Sequence, residues 1–140
     1  MAAKIIKIKF QGYWRDEYKF RVPALSGVYC VYECKYTKIK DIVSPITLIY
    51  IGESENVQDR IANHKKYQDW LKHVRYGNEL CFSFGLIVST DRERAEAAMI
   101  FKHKPPENDE YVDSFPFDRT TMFLSGKIEF LKKWFMLNRT

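Results

Sequence analysis

The stretch "LIYIGESENVQDRIANH", residues 48–64, passes from a short apolar run through one glycine into a charged segment. The run 47–53 is rich in aromatic and β-branched residues, which predicts a central strand. After Gly52, either Ser54 or Asn56 is suited to cap a helix, because both side chains can accept a hydrogen bond from a helical backbone N–H. We therefore expect a strand that is followed at once by a helix.

Polar side chains interrupt the inward face of that predicted helix. Val57, Arg60, Ile61 and His64 follow the i, i+3, i+4, i+7 spacing of one helical face. Burying an unpaired charge is costly, so a guanidinium and an imidazole on this face favour a cleft over a closed core. The alternative is that Arg60 reaches solvent along its apolar stem while His64 lies at a frayed helix end.

A second predicted helix, residues 94–104, shows the same interruption. One of its stripes consists of Glu96, Met99, Ile100 and His103. A carboxylate at the head of an apolar stripe, with small alanines beside it, leaves room for another group to approach Glu96. The alternative is a surface ion pair between Glu96 and Arg92 or Arg94.

The remaining patterns complete an α+β fold with a small antiparallel or mixed sheet flanked by helices. Alternation predicts edge strands at 4–10 and 18–22, and aromatic, β-branched runs predict central strands at 27–34 and 80–89. The run 27–34 is expected to pair antiparallel with 47–53 through a polar loop. Further expectations are a helical stretch from 67, a capping box at 90–93, a helix stop at Pro105, and a short strand and final amphipathic helix within 116–137.

Composition limits the class of protein. The 140 residues contain no repeat or linker, so we expect one domain, 1–140, and no apolar stretch is long enough to span a bilayer. The cysteines, Cys30, Cys34 and Cys81, are too few for a disulfide framework and suit a reducing cytoplasm. The start, "MAAKIIKIKF", lacks the features of a secretory signal. A net charge of +5 and 16% aromatic residues fit a nucleic-acid partner without requiring one.

Two tyrosines project from the predicted central strands. Tyr29 shares a strand face with Gly27 and Val31, and Tyr50 shares one with Gly52. Gly52 would let a backbone or a phosphate come close. Packing alone is the simpler explanation for either tyrosine considered singly.

Together these residues resemble the GIY-YIG nuclease family over about residues 26–108. The matching positions are Gly27, Val28 and Tyr29, then Tyr50, Ile51 and Gly52, and then Arg60, His64, Glu96 in "EAAMI" and Asn108 in "KPPEN". The segments 1–25 and 109–140, expected to be strands and a helix, are additions to this core. The connection 30–49 is longer than is usual in the family, and we interpret it as a loop insertion that contacts DNA.

The resemblance implies hydrolysis of DNA phosphodiester bonds with one Mg²⁺ or Mn²⁺ held by Glu96. It implies that Tyr29 is the general base, that Tyr50 orients the phosphate or shares the proton network, and that Arg60 stabilises the developing charge. It also implies that His64 hydrogen-bonds the tyrosines or relays their proton, and that Asn108 fixes the geometry of the loop or of the tyrosines. Arg60 and the metal would have to lower the pKa of the Tyr29 phenol, which is otherwise a poor base at pH 7.

Other interpretations stay open at this point. RNA could replace DNA as the substrate, and a homodimer would let both strands be cut. Asp16 with "ECK", 33–35, imitates the metal site of another nuclease class, and "ENDE", 107–110, could be a metal cluster or a solvated loop. A non-catalytic module that binds DNA or protein could keep the same fold. The candidate phosphate contacts are Lys38, Lys40, Lys65, Lys66, Lys72, Arg75, Lys102 and Lys104.

Overall fold

A mixed six-stranded sheet with helices on both faces organises the structure, a computed structural model that describes residues 2–140. The strands are β1 (Lys4–Arg15), β2 (Gly27–Thr37), β3 (Ile42–Ser54), β4 (Glu79–Leu86), β5 (Thr120–Gly126) and β6 (Trp134–Leu137). The α-helices are α1 (Val57–Ala62), α2 (Tyr67–Leu71) and α3 (Ser89–His103), and a 3₁₀ helix spans Asp16–Arg21. The prediction of an α+β fold with a mixed sheet is confirmed.

The strand order across the sheet is β3-β2-β4-β1-β5-β6. β1 pairs antiparallel with β4 and parallel with β5, so the prediction that the first strand is an edge strand is wrong. Ile6, Ile8 and Phe10 are buried in the apolar cluster on one face of the sheet. Their burial fits a strand that has a neighbouring strand on each side. The edge strands are β3 and β6.

β2 and β3 form one long antiparallel hairpin, as their predicted pairing required. The prediction of a loop insertion at 30–49 is wrong, because the strands continue to Thr37 and from Ile42 and leave only a short turn. Pro45 is accommodated within β3 next to a register irregularity. Since β3 is an edge strand, the N–H that proline lacks is not needed by a further neighbour.

Two buried clusters lie on opposite faces of the sheet. α3 covers one face, where Ala97 and Met99 belong to the same apolar cluster as Phe10. On the other face, α1 and α2 contribute Ile61 and Trp70 to a second cluster. β2 and β4 are buried on both faces, which explains why their sequences read as almost continuous apolar runs.

Three sequence predictions of secondary structure are wrong. The segment 18–22 lies mostly in the 3₁₀ helix, where a turn bond from the Val22 N–H to the Lys19 carbonyl replaces strand pairing. The expected final helix is instead β6, in which Phe135 is buried between exposed neighbours, with the period of a strand. α3 begins after Val88, which makes no side-chain cap bond, so the capping box at 90–93 does not cap it.

Two further features concern the cysteines and the helices. Cys34 and Cys81 form a disulfide between β2 and β4, which the sequence did not predict, whereas Cys30 is a buried free thiol.

Within residues 2–140, no helix is both long enough and apolar enough to cross a membrane.

Glu33 provides a test of how the loop after α2 is attached to the sheet. Its buried carboxylate accepts hydrogen bonds from Arg75 at 3.0–3.2 Å and from Asn78 at 2.7 Å. Burial alone would raise the pKa of Glu33, but the bonds from Arg75 and Asn78 outweigh it and lower that pKa to about 2. The charged form therefore stabilises the fold above the ordinary value near 4.5, and this contribution is lost as pH falls towards 2.

We expect Glu33→Gln to lower the free energy of unfolding by about 1–2 kcal/mol at pH 7, because Arg75 is largely exposed and can return to water. The difference from the unmodified chain should vanish near pH 2. Urea denaturation at several pH values measures this, with Asp69→Asn, which removes a half-exposed carboxylate paired with Lys72, as the control. If the free energies of unfolding of Glu33→Gln and the unmodified chain differed by the same amount at every pH, the charged form of Glu33 would not be what stabilises the fold.

Candidate active site

A cleft of about 320 Å³ opens beside β3, between α1 and α3. All the predicted site residues line it: Tyr29, Tyr50, Arg60, His64, Glu96 and Asn108. The other lining residues are Glu53, Lys65, Lys66, Ile100, Asp109 and Glu110. The fold therefore brings together side chains that lie far apart in the sequence.

The pairing of β2 with β3 places Tyr29 opposite Gly52. A Cβ atom at position 52 would lie 2.3 Å from Cζ and Oη of Tyr29, so the phenol ring occupies the space that the missing side chain leaves. The close approach expected at Gly52 is thus made by a tyrosine ring and not by a backbone or a phosphate. Only glycine permits this packing of Tyr29.

The Tyr29 hydroxyl is buried, and no residue in 2–140 forms a hydrogen bond with it. Burial raises the pKa of Tyr29 well above 10, the nearby Tyr50 raises it further, and Arg60 acts in the opposite direction. Burial also raises the pKa of Tyr50, to about 12. The expectation that Arg60 lowers the pKa of Tyr29 is correct only in direction, because burial outweighs the guanidinium. Both tyrosines are neutral phenols at pH 7.

His64 lies two residues beyond the end of α1, so its predicted place on the helical stripe is wrong. It still reaches the cleft, since its ring packs 4.4 Å from the Trp70 ring and 5.4 Å from the Tyr50 ring, measured between centroids. Trp70 is a support that the sequence did not single out, and it is the one buried residue of α2.

The hydrogen bonding of His64 defines its protonation. Its Nδ1 accepts a hydrogen bond from the Lys66 backbone N–H at 3.0 Å, so the neutral ring carries its proton on Nε2. Burial, followed by the charges of Arg60 and Lys65, lowers the pKa of His64 to about 4. His64 is therefore a neutral hydrogen-bond donor at physiological pH, 6.2 Å from the Tyr29 ring between centroids.

Arg60 both lines a cleft and reaches solvent, the two alternatives that its position on the predicted helix left open. Its side chain is exposed, while Val57 and Ile61 of the same face are fully buried. The guanidinium lines the cleft and forms no ion pair or hydrogen bond with any residue of 2–140. It is therefore free to bind an anionic ligand.

Glu96 lies on α3 and is partly buried at the cleft. The alternative of a surface ion pair is wrong, because Arg92 pairs with Glu53 and Arg94 donates to Thr120 and to backbone carbonyls. Burial, then repulsion from Glu53 and other carboxylates, raises the pKa of Glu96 to about 8. A positive charge placed beside Glu96 would relieve this repulsion.

Asn108 fastens the loop after α3 to the edge strand. Its Oδ1 accepts a hydrogen bond from the Ile51 N–H at 2.9 Å, and its Nδ2 donates to the Ile51 carbonyl at 2.8 Å. The side-chain amide thus imitates a neighbouring strand at the residue between Tyr50 and Gly52. The predicted role of Asn108 in fixing local geometry agrees with these contacts.

Several predicted phosphate contacts are already engaged within the protein. Arg75 binds Glu33, and Lys66 donates to the Glu107 carbonyl at 2.9 Å and to the Asp109 carboxylate at 3.3 Å. Lys65 is exposed at the cleft. Lys66 and Lys65 are thus the members of the predicted basic set that line the site.

The alternative metal sites find less support. Asp16 accepts a hydrogen bond from the Tyr67 hydroxyl, while Glu33 binds Arg75, and Cys34 and Lys35 continue β2 where a loop was expected. No group of three or more His, Cys, Asp or Glu side chains among residues 2–140 is placed to hold a metal. Mg²⁺, however, keeps several waters and needs only one or two protein carboxylates. Glu96 with Glu53 nearby fits that requirement.

Comparison with known proteins does not assign a function to the cleft, because the chain matches no protein-family model, no curated protein and no solved structure. The function of the cleft must therefore be inferred from its own chemistry.

We expect Asn108→Ala to speed hydrogen exchange at the Ile51 amide and to lower the free energy of unfolding by about 1–3 kcal/mol, because it leaves two buried backbone groups unpaired. NMR-detected exchange measures the first effect and denaturation the second. The exposed Asn138→Ala is the matched control. Unchanged protection of Ile51 would show that the side-chain pairing is absent in solution.

Proposed function

We propose that this protein is a metal-dependent endonuclease that hydrolyses DNA phosphodiester bonds with a site of the GIY-YIG type. The observation that supports this most strongly is the meeting of six side chains at one cleft: Tyr29, Tyr50, Arg60, His64, Glu96 and Asn108. These are the positions at which the sequence resembles that family.

The charge of the cleft supports a divalent cation as part of the site. Because the pKa of Glu96 is about 8, its carboxyl group is mostly protonated at pH 7, and the lining then carries three charged carboxylates against three cationic side chains. The cleft by itself therefore has no net positive charge to attract a phosphate. Glu96, with Glu53 close enough to raise its pKa, would hold Mg²⁺ or Mn²⁺. The bound ion would supply positive charge to the scissile phosphate and to a water molecule.

In hydrolysis, a water oxygen forms a bond to phosphorus and the bond between phosphorus and the 3′ oxygen breaks. The attacking water loses a proton, and the leaving 3′ oxygen gains one. Arg60 is the unpaired guanidinium at the cleft, and its planar fork suits two phosphate oxygens. It would stabilise the negative charge that develops in the transition state. Binding and orientation of the phosphate are thus assigned to Arg60.

Tyr29, Tyr50 and His64 would accept and stabilise the proton that the attacking water loses. The buried hydroxyl of Tyr29 has no hydrogen-bond partner among residues 2–140, so a substrate or a water molecule can be its partner in the complex. To act as a base, Tyr29 must lose its proton, which burial opposes and Arg60 favours. The Nε2–H of His64 is a donor that would stabilise a phenolate in this group, and Tyr50 would position the phosphate beside it.

A second candidate function is a non-catalytic module that binds DNA or protein. The raised pKa of Tyr29 favours this second function, because a phenol that holds its proton is a poor general base in the free protein. A supercoiled-plasmid assay with Mg²⁺ or Mn²⁺, and with EDTA as control, separates the two. An RNA of the same sequence tests the substrate class, and concentration dependence of double-strand cleavage tests a homodimer.

Glu96→Gln should reduce cation-dependent cleavage at least 100-fold while leaving the fold intact. Because the ionised form of Glu96 is disfavoured by burial, its pKa is higher in the folded than in the unfolded chain, and the stability of the unmodified protein should fall as pH rises from about 4.5 to about 8. The glutamine variant should not show this fall. Glu55→Gln, exposed between β3 and α1, is the matched control for both the cleavage assay and thermal unfolding. Full cleavage by the Glu96→Gln variant would refute the assignment.

Arg60→Ala should lower the cleavage rate at saturating DNA about 100- to 1,000-fold, as expected for loss of a donor to the transition state, and change DNA affinity much less. Single-turnover cleavage and fluorescence anisotropy measure the two quantities. Lys65→Ala, at the same cleft, controls for loss of one positive charge. A variant that loses affinity but keeps its rate at saturation would make Arg60 a docking residue.

A further inference from the structure

One half of a sheet face has no helix over it. The face covered by α1 and α2 at β2 and β4 continues across β1, β5 and β6, where its outward side chains meet solvent. The residues that define this open sheet face are Ile5, Lys7, Lys9, Phe123, Trp134 and Met136.

Strand register aligns these side chains in rows. Lys7 pairs with Phe123, and Phe123 pairs with Trp134, so one row joins a lysine and two aromatic rings across three strands. Ile5 and Met136 belong to the next row, on either side of Thr121. Directly paired residues of a sheet point to the same face, so the rows form one continuous surface.

The surface exposes apolar area that a free protein normally avoids. Trp134 is 58% exposed, Phe123 38%, Ile5 65% and Met136 46%. Contiguous exposed aromatic and aliphatic side chains mark binding surfaces. The alternation of β1 shows that the exposure is selective, because Ile6 and Ile8 on its other face are buried.

Its charge identifies the kind of partner. Lys7 and Lys9 are exposed and form no ion pair with any residue of 2–140. The outward positions of β5 and β6, and those of β1 from Ile5 to Gln11, include no Asp or Glu. A second copy of this chain placed symmetrically on the face would set lysines against lysines with no carboxylate to neutralise them. A polyanion has the complementary charge.

We propose that the open sheet face binds single-stranded nucleic acid, with bases stacked on Trp134 and Phe123 and phosphates beside Lys7 and Lys9. Flat aromatic rings interleaved with cations are the combination that holds unpaired bases without reading their sequence. A duplex offers its bases already stacked, so the face should prefer single strands. This binding does not depend on the proposed nuclease chemistry, because it lies on other strands and needs no metal.

The test is fluorescence anisotropy of a labelled oligothymidine in EDTA, so that no cleavage occurs. Trp134→Ala should weaken binding about 5- to 150-fold, the range for loss of one stacked base. Lys7→Ala and Lys9→Ala should each reduce the slope of log affinity against log salt by about 0.7. Phe130→Ala and Lys132→Ala, both exposed in the loop between β5 and β6, are the matched controls and should change neither quantity.

Three results would overturn the proposal. One is equal affinity of Trp134→Ala and the unmodified protein, with circular dichroism showing both folded. Another is equal affinity for the oligothymidine and for a duplex of the same length. The third is self-association in sedimentation that Trp134→Ala abolishes, which would make the face an interface between copies. Any of these results would leave the proposed nuclease function open, because that function is tested separately by the cleavage assays on the Glu96 and Arg60 variants.

Discussion

The pairing of Tyr29 with Gly52 is the constraint on which the rest of the site depends. A slip of one residue between β2 and β3 would place Tyr29 and Tyr50 on opposite faces of the sheet, whereas the observed register puts both on the same face. The ring of Tyr29 fills the space above Gly52, and Asn108 holds Ile51 from the open side of β3. The register therefore fixes at once the position of both phenols, the edge of the cleft and the loop that closes it.

Electrostatics gives the cleft its chemical character. Glu96 is buried among other carboxylates, which raises its pKa to about 8, while His64 stays neutral because burial and nearby cations lower its pKa to about 4. Arg60 is exposed and has no partner within residues 2–140. The free protein thus holds, in one cleft, a carboxyl group that is poorly stabilised as an anion and a guanidinium without an anionic partner among residues 2–140. A divalent cation together with a phosphate would satisfy both.

The sequence predicted those parts of the fold that local periodicity encodes. The strands at Gly27 and Tyr50 and the helix carrying Glu96 follow from side-chain spacing. Cap chemistry predicted either Ser54 or Asn56 as the N-cap of α1, and in the structure the Asn56 side chain accepts a hydrogen bond from the Asp59 N–H. The sequence failed where tertiary contacts decide: the pattern of Trp134 to Leu137 suits either a helix or an edge strand, and only the neighbouring β5 selects the strand. The disulfide of Cys34 likewise depends on β4 lying beside β2, which spacing does not show.

For the site, the resemblance picked out residues that the fold gathers, but it could not supply their environments. Burial determines that Tyr29 holds its proton, and Trp70 beneath His64 was not recognised because a buried aromatic residue has no distinctive sequence signal. The supporting role of Trp70 becomes visible only when α2 is placed against the sheet.

The central claim is that the cleft binds a divalent cation at Glu96 beside Arg60. The most direct measurement is anomalous diffraction from crystals soaked in Mn²⁺, which locates the ion without relying on activity. The account predicts a peak within coordination distance, about 2.2 Å, of a Glu96 carboxylate oxygen. Mn²⁺ bound elsewhere on the protein, with the Glu96 carboxyl group uncoordinated, would contradict it.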